Sequence, residues 1–314
     1  MRFENNQWGL ILGGSSGLGL ASAKKLAAHG LNLILVHRDR RGVMDRIQAD
    51  FAALRQTGIR LCSINADALC GPSRGKILAT IEDELGGSGK LRLLLHSIAL
   101  GNLKPLAVPR PDPGRVQALE GLAGRLGVGM GELDQAIADL FADGLDALHP
   151  LVAGPTLGET LAEDEDFAAT IYNMGTSLWS WVRDLLGAGL FAGDARVLCL
   201  TSEGNTLAWR GYAAVSAAKA VLESLCRAMA LELAPHGIRA NAIQAGITET
   251  PASSLIPGIA RLKAEARRRN PLGRLTRPED VANAVFLLCT DEAAWINGAL
   301  LRVDGGEHIA GGAS

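Results

Sequence analysis

The sequence predicts an α/β fold: a Rossmann-type, doubly wound parallel sheet of about seven strands, with a helical insertion after the fourth. Three observations predict it. Short apolar runs of strand length alternate with helical patterns along most of the 314 residues. The first apolar run passes directly into a glycine-rich turn and a helix. The chain is 48% hydrophobic and 20% charged with 38 glycines, which places it with globular α/β proteins rather than disordered or fibrous ones.

In order, Trp8–Leu12 reads as a buried strand that runs into Gly13-Gly14-Ser15-Ser16-Gly17-Leu18-Gly19 and a helix to His29. Glycines between a strand and a helix let the backbone approach a pyrophosphate, whose charge the helix N-terminus then holds. A second strand, Leu31–Val36, completes a βαβ unit and so gives the glycine turn the context that makes it specific. Gly13, Ser15, Ser16, Gly17, Leu18 and Gly19 are therefore candidate cofactor-binding residues. Where an NAD site usually carries an acid for the ribose 2′-hydroxyl, this chain has His37-Arg38-Asp39. The Arg38 guanidinium suits a 2′-phosphate, so NADPH is the expected cofactor, and Asp39 keeps NADH open.

A helix over Gly42–Gln56, a strand at Ile59–Ile64, a helix over Ser73–Leu85 and a strand at Leu91–Leu95 continue the rhythm. Asp67, followed by Ala68, lies just past the third strand, where it either contacts an adenine or caps a turn. Ligands of such sheets bind beyond the carboxyl ends of the strands, near the switch point. After His96-Ser97-Ile98-Ala99 the rhythm breaks. Between Lys104 and Ala162 lie Pro105, Pro109, Pro111, Pro113, Pro150 and Pro155, with helix patterns at Val116–Leu126 and Glu132–Leu148. An unstructured loop of that length is implausible in a compact domain, so 104–162 is expected to form a helical insertion beside the active site, within one domain spanning 1–314. It serves either as a substrate lid or as an oligomer contact or decoration.

The acidic turn Glu163–Asp166 starts the next helix, which contains Tyr172 and runs to about Leu186. A strand at Arg196–Leu200 delivers Thr201-Ser202, and an alanine-rich helix pattern contains Gly211 to Lys219. A strand at Ile238–Ile243 ends in Gln244-Ala245-Gly246. Two helices and a last strand, Leu300–Val303, close the chain at Asp304-Gly305-Gly306. Tyr212 and Lys219, seven residues apart, fall on one helical face. Lys rarely enters an apolar face without a partner, and a neighbouring ammonium makes a phenol a better proton donor. The alternative is an exposed Lys with its stem on the surface and a Tyr in the core.

A net charge of -2 offers no electrostatic reason for a nucleic-acid or anionic-membrane partner. Arg267-Arg268-Arg269 reads as a solvated helix face. Five cysteines without a C-x-x-C pair point to reduced, buried thiols in a cytosolic protein, not to disulfides or a metal site. Met1–Gln7 lacks the basic start and apolar stretch of a signal peptide. No run reaches the roughly 18 apolar residues that span a bilayer.

Together these motifs resemble the short-chain dehydrogenase/reductase superfamily over the whole chain except the insertion. Ser202 and Lys219 hold the frame of its conventional members, in which a Tyr falls thirteen residues after the Ser and four before the Lys; here that position is Val215. The Tyr lies three residues earlier, at Tyr212. That displacement is similar to the enoyl-acyl-carrier-protein reductases, a branch in which six residues separate Tyr and Lys. His96-Ser97-Ile98 resembles the end of that branch's fourth strand. Tyr172 falls where conventional members place a relay Asn and the branch a Tyr. Ile243–Thr250 resembles the segment that holds the nicotinamide carboxamide and then covers the substrate. The chain departs from the branch at Ser202, often a bulky aromatic there, at Ile247, often Pro, in its conventional glycine turn and in the insertion.

The resemblance implies reduction of a 2-enoyl thioester, on acyl carrier protein or coenzyme A, with Tyr212, Lys219 and Ser202 as catalytic residues. It further implies cofactor contacts at Ser97, Ile98, Ala99, Gly246, Thr248 and Thr250, a role in fatty-acid synthesis and a homotetramer. Ser202 positions substrate or cofactor, or is a plain structural hydroxyl. Tyr172 is expected as a core aromatic rather than an acid, and His96 as a packing residue. Two rival readings are a ketoreductase or alcohol dehydrogenase with a repurposed Tyr212, and a non-catalytic NADPH-binding scaffold.

Overall fold

A computed structural model describes residues 2–108, 110, 112–154, 157–158 and 160–311. Met1 and three of the prolines counted above, Pro109, Pro111 and Pro155, lie outside the described residues. Seven parallel strands form one sheet: β1 (Gln7–Leu12), β2 (Asn32–His37), β3 (Leu61–Asn65), β4 (Lys90–His96), β5 (Phe191–Ser202), β6 (Ile238–Ala245) and β7 (Leu300–Val303). Their order is β3-β2-β1-β4-β5-β6-β7, so the winding reverses between β1 and β4. In register, Leu12 lies beside both Val36 and His96, and Ser202 beside Ala245. The carboxyl ends of the central strands therefore finish at one edge.

All six residues of β2 are buried, as expected when helices cover both faces of a parallel sheet. Alternate strand residues feed two cores. On one face Leu10, Leu12 and Leu94 pack with Ile77 of α3 (Gly71–Leu85), Trp181 of α7 (Ser177–Gly187) and Leu222 of α8 (Ala213–Glu232). On the other, Ile11, Leu93 and Leu95 pack with Leu26 of α1 (Gly17–Ala28), Phe51 of α2 (Met44–Arg55) and Val285 of α10 (Pro278–Leu288). Each such side chain contributes about 1.5–3 kcal/mol relative to exposure, which makes the two-sided sheet the main source of stability. Near the amino end of β5, Asp194 accepts from Arg92, Arg196 and Arg239, a charge cluster at the edge away from the strand carboxyl ends.

Three elements differ from expectation. The helix expected over Glu132–Leu148 stops earlier, as α5 (Met130–Ala142), because Gly144 adopts φ +101° and turns the chain into a 3₁₀ turn at Asp146–Leu148. Its partner α4 (Pro113–Leu126) begins under Asp112, whose carboxylate accepts from Gly114 N at 3.0 Å. The helix expected from 163 to 186 is α6 (Asp164–Ile171), a π turn (Tyr172–Thr176) and α7. Gly175 in that turn lies against α8, where a Cβ would sit 3.1 Å from the Ala218 carbonyl oxygen. Finally, Tyr212 is not inside a helix. It is the residue before α8, following Gly211 at φ +74°.

Gly13 and Gly42 provide a contrast. Gly13 has φ +87°, and a Cβ there would lie 2.4 Å from the Ser97 carbonyl oxygen, whereas nothing lies within 4 Å of a Cβ at Gly42. Gly13→Ala is expected to destabilise by about 1–3 kcal/mol and Gly42→Ala by less than about 0.5 kcal/mol, measured by denaturant unfolding.

Candidate active site

Beyond the carboxyl ends of β1, β2, β4, β5 and β6 lies a cavity of about 490 Å³. Gly13, Ser15, Ser16, Gly17 and Leu18 form one end of it. Gly19 stands behind this wall rather than in it, because a Cβ there would lie 2.1 Å from the Gly13 carbonyl oxygen. Ser16 precedes α1 in extended backbone without a side-chain cap bond, and no acid occupies the first turn of the helix. An N-terminus left in that state, behind a turn in which Gly13 and Gly17 present no side chain and Ser15 and Ser16 only short hydroxyls, fits an anionic pyrophosphate.

At the adjoining end, the His37 ring is buried with Nδ1 2.8 Å from Asp39 Oδ2 and Nε2 3.1 Å from Ser63 Oγ. Arg38 donates to Asp67 Oδ2 at 2.9 Å, and Leu69 N donates to Asp67 Oδ1 at 2.8 Å. Asp67 thus caps its turn while also lining the cavity with Ala68, Arg38 and Asp39. Burial pushes its carboxyl up, but the Leu69 N–H and the Arg38 guanidinium outweigh that and hold it below the usual range.

At the other end, Tyr212 is 8% exposed and its hydroxyl lies 3.4 Å from Ser202 Oγ. The ring stands edge-on to Trp209, and Gly204 lets the chain lie against it: a Cβ there would be 2.5 Å from Tyr212 Cε1. Lys219 is buried, with Nζ donating to the Leu200 carbonyl oxygen at 2.7 Å, and desolvation pushes it down to about 8. The expected lowering of the phenol by this ammonium is not what the site shows. Desolvation raises the Tyr212 hydroxyl above its ordinary value, and only the Ser202 hydrogen bond opposes it.

Val215, in the conventional Tyr frame, is a buried wall residue packed with Met174 and Tyr212. Tyr172 points elsewhere: its hydroxyl donates to the Leu69 carbonyl oxygen at 2.8 Å and accepts from Arg74 at 3.3 Å. His96 is likewise set back, with Nε2 2.9 Å from Ser177 Oγ. Desolvation, with Lys219 nearby, pushes its imidazole down to about 3, so it stays neutral behind Ser97, Ile98 and Ala99, which line the cavity. Gly246, Thr248 and Thr250 line it too. Thr248 donates to the Gly246 carbonyl oxygen at 2.8 Å, and Thr250 Oγ1 accepts from Ser253 N at 3.0 Å, a turn bond.

Sequence reasoning missed an ion triple in the wall. Arg269, in α9 (Ile259–Arg269), lies 2.5 Å from Glu203 Oε2 and 3.1 Å from Glu307 Oε1, and both glutamates line the cavity. Glu307 also accepts from Ile247 N at 3.2 Å. The basic run 267–269 is therefore not simply a solvated face: Arg267 pairs with Asp146 and Arg269 with these two carboxylates. The available signal was Glu203 itself, an acid directly after Ser202. Of the five cysteines, Cys199, Cys226 and Cys289 are buried, Cys62 is half-buried and Cys70 is exposed. Among the described residues no helix is long and apolar enough to cross a membrane.

Residues 133–308 match the family model described as Enoyl-(Acyl carrier protein) reductase. The chain belongs to the short-chain dehydrogenase/reductase superfamily, in its enoyl-reductase-like branch. It is an NAD(P)-dependent oxidoreductase. It is 32% identical over 183 residues to cis-4-hydroxycyclohexanecarboxylate dehydrogenase of Sinomonas cyclohexanicum, covering 54% of this chain and 70% of that one. It is 41% identical over 100 residues to the enoyl-[acyl-carrier-protein] reductase [NADH] FabI of Aquifex aeolicus, covering 32% of this chain and 37% of that one. The crystal structure of FabI from Candidatus Liberibacter asiaticus shares the fold with a TM-score of 0.72 over 100% of both chains, at 20% identity.

The buried Lys219 gives a pH-dependent expectation. A lysine depressed to about 8 when folded and ordinary when unfolded favours folding fully only above the unfolded value, and that contribution is lost as pH falls through about 8. Lys219→Met is therefore expected to be more stable than wild type at pH 6–7, by up to about 3 kcal/mol, with the gap closing as pH rises towards 10. Urea unfolding of both proteins across that range measures the gap; a constant gap would rule out the titration.

Proposed function

We propose that the chain reduces the carbon–carbon double bond of a 2-enoyl thioester with a reduced nicotinamide cofactor, Tyr212 serving as the hydrogen-bond donor to the thioester carbonyl. The observation that carries this reading is the location of the phenols. The chain has two tyrosines. Tyr172 spends its hydroxyl on Leu69 and Arg74, so Tyr212 is the phenol facing the cavity, while Val215 fills the conventional position. In carbonyl reduction the donor must reach the oxygen on the carbon that accepts hydride. In enoyl reduction negative charge builds on the thioester oxygen farther along, so a displaced phenol suits it. A phenol raised by burial stays protonated at neutral pH, as an oxyanion donor must.

A bound nicotinamide supplies the hydride. The residues fit such a group: the glycine turn and bare α1 terminus suit its pyrophosphate, and the buried Lys219 ammonium suits the hydroxyls of its ribose and keeps the local potential positive. Ser202 shares a hydrogen bond with Tyr212 and orients it. Leu103, Met174, Trp209, Ile256 and Leu262 give the cavity an apolar wall for an acyl chain carried on acyl carrier protein or coenzyme A. NADPH is the proposed cofactor, because Arg38 projects at the adenosine end with a side chain 58% exposed. Asp39, oriented by His37, is the partner for the NADH alternative. A cytoplasmic homotetramer in fatty-acid synthesis completes the reading, and the exposed Trp295 and Leu231 support an assembled state.

A second reading, reduction of a ketone or oxidation of an alcohol, draws on the Ser202–Tyr212 contact and on the dehydrogenase of Sinomonas cyclohexanicum, matched over a longer stretch than the FabI of Aquifex aeolicus. A panel of 2-enoyl and 3-oxo thioesters and alcohols, followed by NADPH and NADH absorbance, decides between them. Turnover of enoyl thioesters supports the main reading, and oxidation of cofactor with 3-oxo compounds alone overturns it. Tyr212→Phe is expected to lower kcat at least about a hundredfold with cofactor affinity retained, whereas Tyr172→Phe stays within about twofold. Arg38→Ala is expected to weaken NADPH about tenfold or more while leaving NADH within about twofold, by fluorescence titration. Equal loss for both cofactors would remove the phosphate role.

A further inference from the structure

Between β4 and α6, residues 113–152 are built as a unit of their own; that unit and Leu157 beyond it add two contacts to the site wall that Ser97–Ala99 already line. Leu119 and Ala123 of α4 pack with Leu133 and Ile137 of α5 in a small core separate from the two sheet cores. Arg115 secures the rest of the unit, donating to the Leu151 carbonyl oxygen at 2.9 Å and to Asp134 Oδ1 at 2.9 Å. The 3₁₀ turn that carries Asp146 belongs to the same packing, since Leu148 and Leu151 rest on that core.

Asp146 joins the unit to α9. Arg267 donates from Nε at 2.6 Å and from Nη2 at 2.7 Å to the two carboxylate oxygens, a bidentate pair. The Arg267 hydrogen bonds hold the Asp146 carboxyl below its usual range. Along α9, Ile259 and Leu262 line the cavity. Arg267 follows Leu262 by five residues, about 140° around the helix, so one flank of α9 faces the cavity while another carries the ion pair. On that second flank Lys263 also pairs with Glu249, at 2.9 Å, in the segment after β6. The second contact is Leu157, which is buried against Gly211; a Cβ on Gly211 would lie 3.0 Å from Leu157 Cδ2. Gly211 immediately precedes Tyr212.

We propose that residues 113–152 and α9 form one composite lid, with Asp146 and Arg267 as positioning residues that hold Ile259 and Leu262 at the distance that sets which acyl chains fit. This rests on reading the cavity as an acyl site. A decoration or a plain oligomer contact has no need of a bidentate link to the helix that walls the cavity. Both partners are partly exposed, at 37% and 21%, so the pair is modest in strength and releasable.

The test uses the full-length protein with Asp146→Asn, Arg267→Gln and the exchanged pair Asp146→Arg/Arg267→Asp. Amide hydrogen exchange over 113–152 and 259–269, kcat and KM for short and long acyl substrates, and NADPH affinity are measured for each. Each single variant is expected to speed exchange in both segments together and to change the long-to-short KM ratio about fivefold, with kcat and NADPH affinity within about twofold. The exchanged pair is expected to restore the wild-type ratio and protection. Exchange confined to one segment, or an unchanged KM ratio, would overturn the proposal. Should the wild type reduce no enoyl thioester, the acyl reading fails by itself, and the joint exchange of the two segments still decides the coupling.

Discussion

Arg269 between Glu203 and Glu307 is the interaction on which the geometry of the site depends. Its three members come from the turn after β5, from α9 and from the turn after β7, and both glutamates line the cavity. Glu203 follows Ser202 and opens the turn whose Gly204 lies against the Tyr212 ring, and Glu307 holds the backbone of Ile247. One guanidinium therefore fixes the wall behind the phenol, the loop after β6 and the last turn of α9. Two carboxylates share it, and desolvation leaves Glu307 with its carboxyl raised despite the Arg269 contact. Breaking such a group costs about 3–5 kcal/mol, chiefly because the remaining charges lose their partner. Its value is in specifying one arrangement of three elements, since an apolar trio would stabilise as well without fixing their relative position.

The position of Tyr212 follows from local backbone. Gly211 takes a positive φ that an L side chain rarely adopts, and this lets the chain turn sharply into α8. Tyr212 caps α8, its carbonyl oxygen accepting from Ser216 N at 2.8 Å while its own backbone stays outside helical geometry, with its ring between Gly204 and Trp209. The phenol is set by a turn and a glycine contact rather than by helical periodicity. The same-face argument from a spacing of seven singled out two residues that both line the cavity, although the first of them precedes the helix rather than lying within it.

What was legible in the sequence was what is written locally. Apolar runs of strand length became strands with ends displaced by a few residues, and glycines at 13, 17 and 19 marked the turn that no side chain could fill. The switch point between β1 and β4 follows from the same alternation. What stayed hidden was long-range charge. Arg267 and Arg269 look like a solvated run because their partners lie 121 and 66 residues away. The early end of α5 was hidden because its apolar spacing continues through a glycine whose backbone sign a pattern does not record. The π turn at Tyr172–Thr176 was hidden because its cause is the approach of α8 to Gly175, not a local preference.

Protonation in the site is partitioned by burial more than by direct pairing. Tyr212 is pushed up, Lys219 down to about 8 and His96 down to about 3, with desolvation the leading cause for each. Near neutrality this leaves a protonated phenol, a charged ammonium and a neutral imidazole within one end of the cavity. The neutral His96 matters because a second cation beside Lys219 would drive that lysine further down and cost it its charge. Leu200 secures the ammonium through a carbonyl oxygen, which orients it without neutralising it. The scaffold thus accepts an unfavourable buried lysine in exchange for a positive potential at the one place where substrate and cofactor are proposed to meet, and the stability of the sheet cores is what makes that tolerable.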